Sequence, residues 1–159
     1  MSLVSEGLDS KRNRALPVPR GNASMKTFTP DSSIASDVIP SPNCGERNKG
    51  RAPDMIVLHY TGMPDVEGAI ARLCTSGTEV SAHYIVLEDG RIVQCVPEAK
   101  RAWHAGASSW AGEEDINTCS IGIEQVLMSS SPAQEEAPAC QARFASGTHC
   151  TMRPSSSTM

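Results

Sequence analysis

Asp54-Met55-Ile56-Val57-Leu58-His59-Tyr60-Thr61-Gly62-Met63 holds a continuous apolar run from Met55 to Tyr60 that breaks on a Thr-Gly turn. A short apolar run bounded by turn residues suits a strand buried on both faces. A histidine at the end of such a strand projects from a rigid element, which is a good place to hold a metal. The same residue read plainly is a buried histidine bonded to backbone. A second run, Ser120-Ile121-Gly122-Ile123-Glu124-Gln125-Val126, predicts another strand and carries a carboxylate near its end. Burial would raise the pKa of Glu124 and suit it to general-base work, whereas a strand-end carboxylate in solvent would have no such use.

Between these runs the chain alternates element types. Val66, Ile70 and Leu73 recur at helical spacing over Pro64 to Ser76, with Pro64 fitting the first turn and Gly77 stopping it. Val80 to Leu87 and Arg91 to Val96 predict two strands around Asp89-Gly90, a hairpin signal. Residues 98–118 read as a long loop containing Gly106, Gly112 and both tryptophans, and Ile39 to Pro53 as a Pro/Gly/Asn loop. Residues 1–36 are expected to be a disordered lead-in, 37–127 the folded domain, and 128–159 a disordered, Ser/Pro-rich tail. Four strands and one helix leave one sheet face with no obvious covering layer. A core that small is marginal without a metal or a partner.

At 159 residues the chain is one domain with room for flexible ends. The net charge is −4, and the densest basic patch, Arg47, Lys49 and Arg51 with Glu46 beside it, reads as a solvated loop, so no nucleic-acid partner is expected. No run approaches the ~20 apolar residues of a membrane span. The first 25 residues lack an apolar h-region, which predicts no secretory signal, a cytoplasmic location and reduced thiols; Met25 is an alternative start. The six cysteines contain no Cys-x-x-Cys, and Cys74, Cys95 and Cys119 sit among apolar neighbours as small core residues.

With Val-Ser-Ala-His83-Tyr-Ile-Val and Arg-Ala-Trp103-His104-Ala-Gly, these blocks stand in one order along residues 37–126. In that order the segment resembles the type 2 amidases, the zinc-dependent N-acetylmuramoyl-L-alanine amidases of the AmpD-like kind, related to peptidoglycan recognition proteins. The resemblance implies an α/β fold, a mixed central β-sheet flanked by helices, here incomplete at its C-terminal end. It implies hydrolysis of the amide between the lactyl group of muramic acid and L-alanine, acting on peptidoglycan fragments (muropeptides). Carried over to this chain, His59 is a ligand of Zn2+, Glu124 the catalytic base, and Trp103 and His104 line the substrate groove. Trp103 read plainly packs its loop onto the sheet, and His83 is expected to be structural. The family's second and third ligands, a histidine and an aspartate or cysteine, lie beyond the Ile-Glu strand in Gly-His and Asp-Pro-Gly contexts. Here that stretch offers only His149 with Cys150 beside it. The change of character after Val126 suggests a changed reading frame or a truncation. Three outcomes stay open: a zinc amidase, a non-catalytic peptidoglycan-binding module, and an inactive relic.

Overall fold

The computed structural model describes residues 15–19, 26–126, 140–143 and 149–151. The strands are β1 (Asp37–Val38), β2 (Cys44–Glu46), β3 (Met55–Tyr60), β4 (Tyr84–Val86), β5 (Ile92–Gln94), β6 (Lys100–Ala102), β7 (Ser120–Gln125), β8 (Cys140–Arg143) and β9 (His149–Thr151). Helix α1 spans Val66–Cys74 and the short α2 spans Ile116–Cys119. The main sheet has the order β1-β5-β4-β7-β3-β8-β9, and β2 pairs with β6 in a separate ribbon. Strands β3, β7 and β4 are mutually parallel, while β5 runs antiparallel to β4 and β8 antiparallel to β3. This is the mixed α/β sheet the resemblance implied.

The predicted elements sit where the apolar runs placed them, with shorter ends. Helix α1 begins two residues after Pro64, because the Asp65 carboxylate accepts from the Gly68 N–H at 2.6 Å and caps it. Such a cap is worth ~1 kcal/mol. At its other end the Ser41 hydroxyl donates to the Leu73 carbonyl at 2.6 Å, and the Asn43 amide donates to Thr75 O at 2.8 Å. Helix-end carbonyls with no intrahelical partner are satisfied in this way. The hairpin forms at Asp89-Gly90, where Gly90 takes φ 83° and its N–H donates to Leu87 O.

Both stretches read as loops contain paired backbone: β2 lies in 39–53, and β6 with α2 in 98–118. Their strands are three residues long, too short for a period to register in sequence. Strands β8 and β9 fall within 128–159, the stretch expected to lack order. The rest of that stretch, and most of the expected lead-in, lies outside the described residues.

Alternation divides β7 between two faces. On one, Ile85, Val93 and Val126 pack under Ala69, Ile70, Leu73 and Cys74 of α1. On the other, Ile56, Tyr84, Val86, Ile92, Ile121 and Ile123 line an open cleft of about 210 Å³, and Ile56 is 47% exposed. No helix among the described residues covers that second face. Cys74, Cys95 and Cys119 are core residues, as read from their neighbours. No helix among the described residues is long and apolar enough to cross a membrane.

The basic patch requires a correction. Arg47 is no part of a solvated loop: it is only 5% exposed. Its Nε donates to Glu98 O at 2.8 Å, one terminal nitrogen to Asn117 O and Thr118 O at 3.2 and 2.7 Å, and the other to Ser120 O at 2.9 Å. The rigid guanidinium fork thereby joins the 98–102 segment, the C-terminal end of α2 and the start of β7. Burial lowers its pKa. Arg51, by contrast, pairs at the surface with Asp54 and Glu113.

Candidate active site

His59 and Glu124 are register partners across the parallel β3·β7 pair, so their side chains leave the sheet on one face. Ser120 and Gly122 precede Glu124 at the strand period of two and share that face. On it lies the segment following β6, which carries Trp103 and His104. The Asn117 carboxamide oxygen holds this segment by accepting from the backbone N–H groups of His104 and Ala105 at 3.0 and 2.9 Å. Ser81 holds it from the other side: its N–H donates to Trp103 O, and its hydroxyl oxygen accepts from the Trp103 N–H.

The imidazole of His104 lies flat on β7 at Gly122. A Cβ built on Gly122 would stand 2.4 Å from two carbons of that ring, closer than any real contact. Only glycine leaves room there. From this seat His104 Nδ1 is 3.0 Å from His59 Nε2, and His104 Nε2 is 3.1 Å from Ser120 Oγ. Burial, with His59, His83, Arg47 and Arg101 nearby, pushes the His104 pKa well below the ordinary histidine value. His83 lies beneath, fully buried, its Nδ1 accepting from the Gly122 N–H at 3.0 Å and its Nε2 donating to Lys100 O at 3.1 Å. Desolvation, helped by the Arg47 charge, lowers the His83 pKa to about 4.

Glu124 lines a cleft of about 190 Å³ together with Trp103, His104, Tyr60, Thr61 and Arg72. Its pKa is pushed up to about 7 by burial. Its Oε2 is buried and has no hydrogen-bond partner among the described residues. A carboxyl poised near neutrality, with one oxygen unpaired among the described residues, is suited to exchanging a proton with a bound molecule. His59, 9% exposed, does not line this cleft and reaches it through His104. Trp103 both lines the cleft and ties its segment to Ser81.

Among the described residues, no three His, Cys, Asp or Glu side chains converge closely enough to hold a metal ion. The side chains of His149 and Cys150 lie outside the description. Ser120, Gly122, Asn117 and Arg47 were missed as site-building residues. The Ser-x-Gly-x-Glu alternation of β7 could have revealed the first two, since it sets all three residues on one face.

Replacing Gly122 with alanine is expected to evict the His104 ring and break both of its bonds, at a cost of ~2 kcal/mol, typical of overpacking. Urea unfolding measures it. A loss below about 0.5 kcal/mol would refute the tight seat.

A family model described as N-acetylmuramoyl-L-alanine amidase matches residues 49–152. The chain is 39% identical over 103 residues to the 1,6-anhydro-N-acetylmuramyl-L-alanine amidase AmpD of Citrobacter freundii, over 54% of this chain and 55% of that protein. It is 42% identical over 77 residues to the N-acetylmuramoyl-L-alanine amidase AmiD of Escherichia coli strain K12, over 44% of this chain and 27% of that one. The crystal structure of a selenomethionine AmpD derivative superposes with a TM-score of 0.54 at 33% identity, over 63% of this chain and 66% of the other. The chain thus spans about half the length of the AmpD relatives it matches.

Proposed function

The chain belongs to the type 2 N-acetylmuramoyl-L-alanine amidase family, and on that footing we propose that its cleft binds muropeptides for hydrolysis of the amide between muramic acid and L-alanine. One observation carries the reading: Glu124, half-buried and with no hydrogen-bond partner on Oε2 among the described residues, has a pKa pushed up to about 7 in a cleft beside Trp103. Near neutral pH its carboxylate form takes the proton of an attacking water, and its acid form returns that proton to the departing L-alanine amine. A base of this kind contributes ~10²–10⁴-fold. Trp103 supplies an apolar wall for the sugar or the stem peptide.

The resemblance implies zinc for this family, and zinc polarises the scissile carbonyl and acidifies water. A catalytic zinc needs three protein ligands and an open position. The described residues offer His59, whose Nε2 faces His104, and Glu124, reserved here for the proton. They do not by themselves fit the ion, and the proposed roles of Glu124 and Trp103 do not pass through it. The same shortage of donors favours a second reading, a muropeptide-binding module without turnover.

The two readings part in one experiment. Purified full chain is incubated with anhydro-muropeptide, with added zinc or with chelator, while stem-peptide release and equilibrium binding are both followed. Release that chelator abolishes supports the amidase. Binding without release under both conditions overturns it in favour of the module.

A further inference from the structure

We propose that Asn43 and Ser81 are positioning residues for the cleft wall formed by Trp103, with the Ser81 hydroxyl acting as an inserted rung between the ends of β2 and β6. In that ribbon Glu46, Gly45 and Cys44 face Lys100, Arg101 and Ala102, so the next pair in register is Asn43 with Trp103. Ser81 Oγ bridges this pair, 2.5 Å from Asn43 O and 2.9 Å from the Trp103 backbone nitrogen. A carbonyl has no hydrogen and an amide N–H can only donate. The hydroxyl therefore donates to Asn43 and accepts from Trp103. The Ser81 N–H also donates to Trp103 O at 3.0 Å, so both backbone polar groups of Trp103 end on one residue.

Asn43 is itself fixed. Its Nδ2 lies 2.8 Å from Thr75 O, 2.8 Å from Thr78 Oγ1 and 3.0 Å from Val80 O. Two of these are carbonyls, so the amide nitrogen and not the oxygen faces them. Asn43 thereby fastens the stretch between α1 and β4 to the point that holds Trp103. Asn43 and Ser81 are 3% and 0% exposed, so water does not compete for these bonds. Beyond Trp103 the Asn117 carboxamide holds His104 and Ala105, which leaves Ser81 to fix Trp103. Leu73 and Val80 line the same cleft as Trp103, so this buried pair sets how far α1 stands from the indole wall. A ligand that had to order a loose wall itself would bind about threefold to tenfold more weakly. What the wall meets rests on the muropeptide reading; how the wall is held does not.

The chain has two tryptophans, so Trp110→Phe leaves Trp103 as the only indole. In that full-length parent, acrylamide quenching of Trp103 fluorescence and equilibrium binding of anhydro-muropeptide are both measured. The parent is expected to quench slowly, and Ser81→Ala and Asn43→Ala to quench faster. Each variant is expected to bind anhydro-muropeptide about threefold to tenfold more weakly. Adding Ser81→Ala to Trp103→Ala is expected to cost no further affinity, because the hydroxyl acts through the wall that is already gone. A general loss of structure would weaken binding in both backgrounds. Unchanged quenching in a folded Ser81→Ala protein overturns the proposal, and so does an equal loss of affinity with and without Trp103. A parent indole as open to acrylamide as in the urea-unfolded chain overturns it whether or not the variants fold. A parent that binds no muropeptide removes the muropeptide reading instead, and quenching alone then decides how the wall is held.

Discussion

Glu124→Gln is expected to remove the proposed hydrolysis by ~10²–10⁴-fold and to flatten the pH dependence of stability. The sign follows from where the proton is held. Folding raises the Glu124 pKa from 4.5 to about 7 by burial. Below pH 4.5 both states are protonated and the group costs nothing. Between pH 4.5 and 7 the unfolded chain ionises while the folded one keeps its proton, so stability falls as pH rises. Above about 7 the full penalty is present, roughly 3 kcal/mol at 1.36 kcal/mol per pKa unit. Glutamine cannot ionise and carries no such slope. Urea midpoints at pH 4.5 and pH 8, compared between wild type and variant, read it directly. Equal pH slopes in the two proteins would mean that Glu124 is ordinarily ionised, and the proposed proton transfer would lose its basis. A more stable variant with less activity is the expected behaviour of a group kept for its chemistry.

Arg47→Met is expected to destabilise the domain by about 4 kcal/mol, the order expected when several buried carbonyls lose their donor at once. The apolar substitute fills similar space but leaves Glu98 O, Asn117 O, Thr118 O and Ser120 O without their donor. Arg47→Lys retains the charge but places a single nitrogen where the fork reaches three separate segments, so an intermediate loss is expected. Because Ser120 O is one of the four acceptors, the start of β7 should loosen first, and the His104–Ser120 bond with it. Thermal and urea unfolding measure the effect. A Met variant within about 1 kcal/mol of wild type would show that the four carbonyls find other partners.

Much of the fold was legible because its signals are local. The apolar runs at 55–60 and 120–126, the period of Val66, Ile70 and Leu73, and Asp89-Gly90 each report an element from a few adjacent residues. Strands β2 and β6 were not legible: three residues carry no period, and what makes them strands is their pairing across more than fifty positions. Arg47 was misread for the same reason. Its acceptors lie 51 to 73 residues away, and nothing beside it in sequence marks it as buried.

For the candidate site, the sequence by itself determined which chemical groups are present and that His59 and Glu124 lie on strands. That information is contained in residue type and in the two-residue alternation of a strand. Only the tertiary structure decided that the two residues share a register, that His104 seats on Gly122 between His59 and Ser120, and that Glu124 is dry enough to titrate near neutrality. Register, close approach and desolvation are properties of chain segments brought together from far apart, and packing, not residue type, sets them.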